Sequence, residues 1–560
     1  MQNLCSASLL PSEPFQAGQI ARFLGASRSG RTTLALGRTG APWLRLLVAA
    51  LVCAFGVACS SDAVGPDRTG PDRGGVGDGT ERDPRRPSPV TDVGVPDAGP
   101  SSDIDESTPD VSVTDLGGEE VESDAPDVNE RPVDPVPDDT RPSGGFTGTV
   151  WVPGNGPGQV PAGQEIPVSG ALVYLTTTPP PPIPQRTYCA SCQTPPARAT
   201  FSDARGNFSL QPFTPGVYWL VVEKGQFRRQ VEVEVIEGAT VELDAELTTL
   251  PSRNAPSEGM FTPRVAMAVG GSDHLEDIFG KMQLGDVDAS GRFVPESSLG
   301  VIDIYSNGGN AGTVAMGTLE DLVRDPALLA EYHIVFIPCS GDQHTRALRD
   351  QNVLRNIRNY VAGGGNLYVT DWSGEWMDNV FPEQIQLGEG AFGFFGGRVD
   401  TPAAAYDRAT DTWNTSLFGN ADGDSYDTPN AEVVDADMFA WLNGQVGPTP
   451  GSASPSTYNA SNFRITGNWN YIEAVHNVVV GSDEGGRDVV DEPKVWVIGG
   501  STSRPSPKRP MTVSFEPAGC GRVLFSTYHT TDGVHTGLMP QERVLLYLIM
   551  EIGTCRDPKQ

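Results

Sequence analysis

Residues 357–374 read "IRNYVAGGGNLYVTDWSG". The first part reads as the last turns of a helix that stops at Gly363–Gly365, because glycine accepts the left-handed conformation that closes a helix. The apolar "NLYVTDW" then reads as a buried strand, and Ser373-Gly374 as the turn that ends it. The same grammar repeats on both sides. Upstream lie the strand "RVAMAVG" (264–270), a helix from about Asp273 to Gln283 and the strand "GVIDIYS" (300–306). They are followed by a helix in "TLEDLVRDPALLAEY" (318–332), with Leu319, Leu322, Leu328 and Leu329 apolar, and the strand "HIVFIPC" (333–339). Downstream come "KVWVIGG" (494–500), "MTVSFEP" (511–517), "GRVLFSTYHTT" (521–531) and an amphipathic helix, "PQERVLLYLIMEIG" (540–553). Apolar strands alternating with helices predict a parallel sheet covered on both faces.

Before this α/β region, residues 145–250 carry short, alternating, β-branched or aromatic segments punctuated by Gly and Pro. They are "GFTGTVWVPG" (145–154), "VSGALVYLTT" (168–177), "ATFSDARGNFSLQPFTPGVYWLVVEKG" (199–225) and "RRQVEVEVIEGATVELDAEL" (228–247), a pattern that predicts a small β-sandwich. A Pro-rich insertion, "PPPPIPQRTYCASCQTPP" (179–196), holds Cys189 and Cys192 in a CxxC spacing. No helix follows to lower a thiol pKa, and no second CxxC follows to complete a zinc site. A local Cys189–Cys192 disulfide is expected. A second bridge, Cys520–Cys555, is expected to pin the last helix to the sheet.

Still further upstream, Ser61–Arg141 carries 22 acidic and 7 basic side chains and no aromatic residue. Such a stretch cannot bury enough apolar surface to offset chain entropy and is expected to be a disordered, extended tether. The formal charge of the whole chain, -32, argues against a nucleic-acid partner.

The N-terminal segment "WLRLLVAALVCAFGVACSSD" (43–62) puts Arg45 before an apolar run of signal-peptide length. Its "GVAC" (56–59) resembles a bacterial lipobox. The resemblance implies cleavage before Cys59, a lipid on Cys59, a membrane partner through that anchor and an outer-membrane location, since Ser60 rather than Asp follows. Residues 1–58 are then the signal peptide, with a translation start expected further downstream, and 59–144 the lipidated end and tether.

Residues 145–250 resemble the carboxypeptidase regulatory-like (transthyretin-like) domain through Gly148, Val150, Gly170, Ala171, Val173, "SDARGNFSL" (202–210) and "PGVYWLVV" (215–222). The resemblance implies a carbohydrate-binding-like sandwich without catalysis of its own. Residues 261–556 resemble the class I glutamine-amidotransferase-like fold in its ThuA-like branch, a flavodoxin-like α/β architecture. "YHIVFIPCSG" (332–341), "IRNYVAGGGNLYVTDWSG" and "GCGRVLFSTYHT" (519–530) carry it, with an insertion at about 377–490. Active members keep a nucleophilic Cys on the turn after the "NLYVTDW" strand, where Trp372 is expected to stand in this chain. Cys339 falls one strand earlier, where the family places a backbone turn. His529 occupies the position of the family's His. The family's Glu position falls at Thr531 and Asp532, while Glu542 comes 13 residues after His529. The triad is thus incomplete, and binding or scaffolding of a glycan or an envelope protein is the expected role. The rival expectation is a hydrolase or sugar-modifying enzyme that uses Asp371, Ser373, Glu375 and His529 at the carboxyl ends of neighbouring strands, with Asp371 and His529 as acid and base.

Two acidic loops have the alternating oxygen ligands of a calcium site. "NADGDSYD" offers Asn420, Asp422, Asp424 and Asp427, and "DVDASG" offers Asp286, Asp288 and Ser290.

Overall fold

The computed structural model describes residues 141–554, apart from 190–193, 298–299, 310, 341–345, 389–404, 419–425, 450–451, 453, 484, 504, 518–519 and 532. These residues belong to one compact unit, Glu120–Gln560, and are largely β-sheet with few helices. Cys59, the tether up to residue 140, Cys192, Asn420, Asp422, Asp424, Asp532 and Cys555 lie outside them.

Residues 144–261 form two sheets. One has three strands in the order Asn207–Phe213, Gly144–Thr149, Thr240–Glu242. The other has five, in the order Thr200–Phe201, Leu172–Thr176, Gly216–Lys224, Phe227–Val235, Met260–Phe261. Side chains alternate across each strand. Phe146, Phe208 and Leu210 from the first sheet and Val173, Leu175, Leu220 and Val222 from the second share one buried core.

The second body is a nine-stranded sheet. Its order is Ile302–Asn307, Val265–Gly270, Ile334–Ile337, Asn366–Thr370, Val523–Ser526, Arg509–Phe515, Lys494–Gly499, Tyr426–Val433, Phe463–Asn468. The first five strands are parallel, as expected. The last four run antiparallel, which the sequence reading missed. The loops that join Lys494–Gly499, Arg509–Phe515 and Val523–Ser526 are too short for a helical crossover, so hairpins are the available connection. The expected insertion is part of the sheet, since two of its segments supply the far edge strands.

Local chemistry accounts for the helices. Gln351–Ala362 is N-capped by Asp350, whose carboxylate accepts the Asn352 N–H, and it buries Val353, Leu354, Ile357, Tyr360 and Val361. The helix expected over 318–332 is broken into Leu319–Arg324 and Pro326–Leu329. Pro326 disfavours helical backbone at Asp325, which takes φ -104° and ψ 99° and caps the second piece. The final helix, Pro540–Glu551, is buried from Pro540 to Met550 rather than amphipathic, because the sandwich covers the side that the sheet does not. Lys224 of the sandwich reaches Glu551 at 2.5 Å, and Trp441 Nε1 donates to the Pro167 carbonyl at 2.7 Å.

The Pro-rich insertion straps the two bodies together at the amino ends of the parallel strands. Thr187 N donates to Ala330 O at 2.9 Å, and the Pro184 carbonyl meets His333 Nε2 at 2.6 Å. Gly364, at φ +99°, leaves room for the Tyr188 carbonyl. This path delivers Cys189 to Cys520, and the two form a disulfide with Cα atoms 5.2 Å apart. Both expected bridges are thereby corrected: Cys189 does not pair with Cys192, nor Cys520 with Cys555. Sequence proximity favours the local pair, but the strap places Cys189 beside a strand start 331 residues away.

Candidate functional site

Three neighbouring parallel strands end beside one another at the opposite edge of the sheet. Cys339 follows Ile334–Ile337, Asp371 follows Asn366–Thr370, and His529 follows Val523–Ser526. One ligand-type atom from each, sulfur, oxygen and nitrogen, lies within 4.8 Å of the others. All three residues are buried.

The residue at the tight turn is Asp371, not Trp372. It holds φ +46°, a left-handed backbone that a non-glycine residue adopts at a cost of about 1–2 kcal/mol. The turn leads into the short helix Glu375–Asp378. Asp371 Oδ1 accepts the Trp469 N–H at 2.7 Å, its carbonyl accepts the Asn470 amide at 3.3 Å, and Oδ2 stands 3.7 Å from His529 Nε2. Asp371 and His529 are therefore brought together as the rival reading expected.

His529 Nδ1 is 2.8 Å from the Thr530 carbonyl. A carbonyl only accepts, so Nδ1 donates to it, and Nε2 faces Asp371. Gly467, at φ +72°, packs directly on the imidazole, and a Cβ there would collide with it.

Burial first, then the negative charges of Asp371 and Asp273, push the Cys339 thiol well above its ordinary pKa. Its thiol interacts with the Asp371 carboxylate and with the Trp372 backbone N–H. A protonated, enclosed thiol is a poor nucleophile. Ser373 is buried and donates its hydroxyl to the Pro338 carbonyl at 2.8 Å, which ties it to the strand end. Glu375 is buried at the start of its short helix. Glu542 is not beside His529. Its carboxylate takes His535 Nε2 at 2.8 Å and caps the final helix through the Met539 N–H.

Asp273 was expected only as a helix start. It is fully buried, and its carboxylate accepts from Thr370 Oγ1, Thr530 N, Thr530 Oγ1 and His274 N. Thr370 Oγ1 in turn accepts the Cys339 N–H, which joins the strand ends into one polar network. Trp469 stacks on Trp372 with ring centroids 5.4 Å apart and planes 11° apart, and both residues are partly buried. Sequence reasoning missed Asp273, Trp469 and Asn470. The last two sit within the insertion, about 100 residues from Asp371, and no local spacing marks them.

The calcium candidates fare differently. Asp427 lies on the Tyr426–Val433 strand, and its carboxylate pairs with Arg464. Asp288 accepts Ser290 N, Ser290 Oγ and Arg292 N, so its oxygens build a turn between Asp286–Val287 and Phe293–Val294.

No family profile matches the chain. No curated protein matches it either. Among solved structures it is similar to a ThuA-like protein from Parabacteroides merdae, at 12% identity and a TM-score of 0.24, over 52% of this chain and 88% of that one. A likeness at that score carries no argument about this chain's chemistry.

Proposed function

We propose that this chain is a lipid-anchored protein of the cell envelope whose folded part binds a glycan, with no catalytic triad of its own. In this reading Cys59 carries the lipid, the acidic tether holds the rest off an outer membrane, and a carboxypeptidase regulatory-like sandwich packs on a ThuA-like α/β body. Five parallel strands and two facing small sheets support that architecture. The observation that carries the binding role is the Trp372–Trp469 pair, two partly buried, near-parallel indoles at the carboxyl edge of the sheet. Flat aromatic faces suit the apolar faces of sugar rings. The chemistry beneath them is closed, because Cys339, Asp371, Ser373 and His529 are all buried.

The test is a glycan array read with the purified protein, followed by tryptophan fluorescence titration of each hit. Trp469→Ala is expected to weaken binding at least about tenfold, the equivalent of about 1.4 kcal/mol. Hits that survive Trp469→Ala and Trp372→Ala unchanged would remove the pair from the reading. Anchoring is tested separately. Cys59→Ala is expected to move the protein from membranes to the soluble fraction.

One observation keeps a second reading in view: an aspartate at a left-handed strand-to-helix turn beside a histidine. A hydrolase built on that pair would turn over a glycan hit, and Asp371→Asn would abolish turnover while leaving binding intact.

A further inference from the structure

We propose that Cys339, Asp371 and His529 form a binding site for one divalent metal ion, with zinc the ion that fits the donor set. A thiolate sulfur, a carboxylate oxygen and an imidazole nitrogen are the mixed donors of a borderline-soft ion, whereas calcium and magnesium take oxygen alone. The three donors come from adjacent parallel strands, so backbone hydrogen bonds already hold their origins in place.

Two independent features of the site point to a cation. The first is the orientation of His529. The hydrogen bond from Nδ1 to the Thr530 carbonyl is the outer contact that metal-binding histidines usually make, and it leaves Nε2 as the nitrogen placed to ligate. Nε2 faces Asp371 Oδ2 across 3.7 Å. The gap is too long for a hydrogen bond and leaves space between a nitrogen and an oxygen that can both ligate a metal. Tetrahedral zinc holds its donors about 3.5 Å from one another, so a separation within 4.8 Å closes with side-chain movements of less than about 1 Å each.

The second feature is charge. Asp273 is a fully buried carboxylate in contact with the same network, through Thr370 and Thr530. Its four accepted hydrogen bonds leave it no room to be a ligand, and among the described residues no Lys, Arg or His lies within ion-pair distance of it. Its negative field reaches the Cys339 sulfur, and a divalent ion at Cys339, Asp371 and His529 answers it. Binding exchanges the Cys339 thiol proton for a sulfur–metal bond, and the proton leaves to solvent.

The experiment uses the untagged protein, treated with a chelator, dialysed and titrated first with zinc and then, in a fresh sample, with cobalt. The expected result is one equivalent of zinc per chain by elemental analysis, a rise in melting temperature with zinc, and a sulfur-to-cobalt charge-transfer band in the near ultraviolet. Cys339→Ser, close in shape, is expected to lose the band and to weaken zinc binding at least about tenfold. Near-ultraviolet circular dichroism checks that this variant is folded. If it is not, Asp371→Asn carries the same expectation for zinc affinity. A folded wild-type chain that takes up no stoichiometric zinc overturns the proposal. So does zinc binding that persists, with its cobalt band, in folded Cys339→Ser. Glycan binding through Trp469 is read separately, so failure of one proposal leaves the other standing.

Discussion

The two edges of the parallel sheet each bury a histidine, and the two histidines are used in opposite ways. At the amino edge, His333 Nδ1 accepts the Arg264 N–H at 2.8 Å and Nε2 donates to the Pro184 carbonyl at 2.6 Å. Both nitrogens serve the backbone, and burial lowers the His333 pKa and holds it neutral. At the carboxyl edge, His529 spends one nitrogen on the backbone and aims the other at a carboxylate. The amino edge is a seal, closed by a strap, a disulfide and an ion pair. The carboxyl edge keeps reactive groups together under a left-handed aspartate. The packing devices gather at the first edge and the titratable side chains at the second, the edge where parallel sheets hold their ligands.

The largest test of that contrast is the Cys189–Cys520 bridge. Replacing both cysteines by serine is expected to cost about 4 kcal/mol in urea unfolding, because the bridge closes a very long loop. Peptide mapping under non-reducing conditions should recover the two in one fragment. Cys189 recovered with Cys192 instead would mean that the amino edge is not pinned.

A smaller loss is expected at the Lys224–Glu551 pair, which lies on the same side. Both side chains are largely buried, so Lys224→Met should cost about 3 kcal/mol by stranding the carboxylate. Lys224, with help from Arg522, overcomes the upward push of burial and holds the Glu551 carboxyl at about 2, below its ordinary 4.5. A depressed folded pKa contributes stability that is complete above about pH 4.5 and is lost as pH falls toward 2. Urea midpoints measured across that window should fall in the native chain and flatten in Lys224→Met.

The smallest effect is expected at the carboxyl edge. In chelator-treated, metal-free protein Asp371→Asn keeps the acceptor for Trp469 N–H and removes a buried carboxylate, so stability should stay level or rise by about 1 kcal/mol. A loss of more than about 3 kcal/mol would make Asp371 a structural residue like His333 and erase the contrast.

Much of the sheet could be read directly. The strands around "HIVFIPC", "NLYVTDW" and "GRVLFS" are continuous apolar runs bounded by Gly and Pro, and a strand buried on both faces leaves that trace. The split at Asp325–Pro326 was equally local in cause, though it went unread. His529 and Asp371 were legible as candidates because each directly follows such a strand. Their roles were not. The turn residue was placed at Trp372 rather than Asp371, because a one-residue shift at a turn leaves no mark on composition.

By itself, the sequence determined which segments would be buried strands and which side chains would gather at strand ends. Those properties follow from local hydrophobicity, charge and backbone preference. Only the tertiary structure decided that Cys189 meets Cys520, that Asp273 charges the site from 98 residues before Asp371, and that a distant Trp469 roofs it. Each of these contacts joins residues that share no helix, strand or turn. Their distance is set by how whole elements pack, and packing is a sum over many weak contacts that no single stretch of chain encodes.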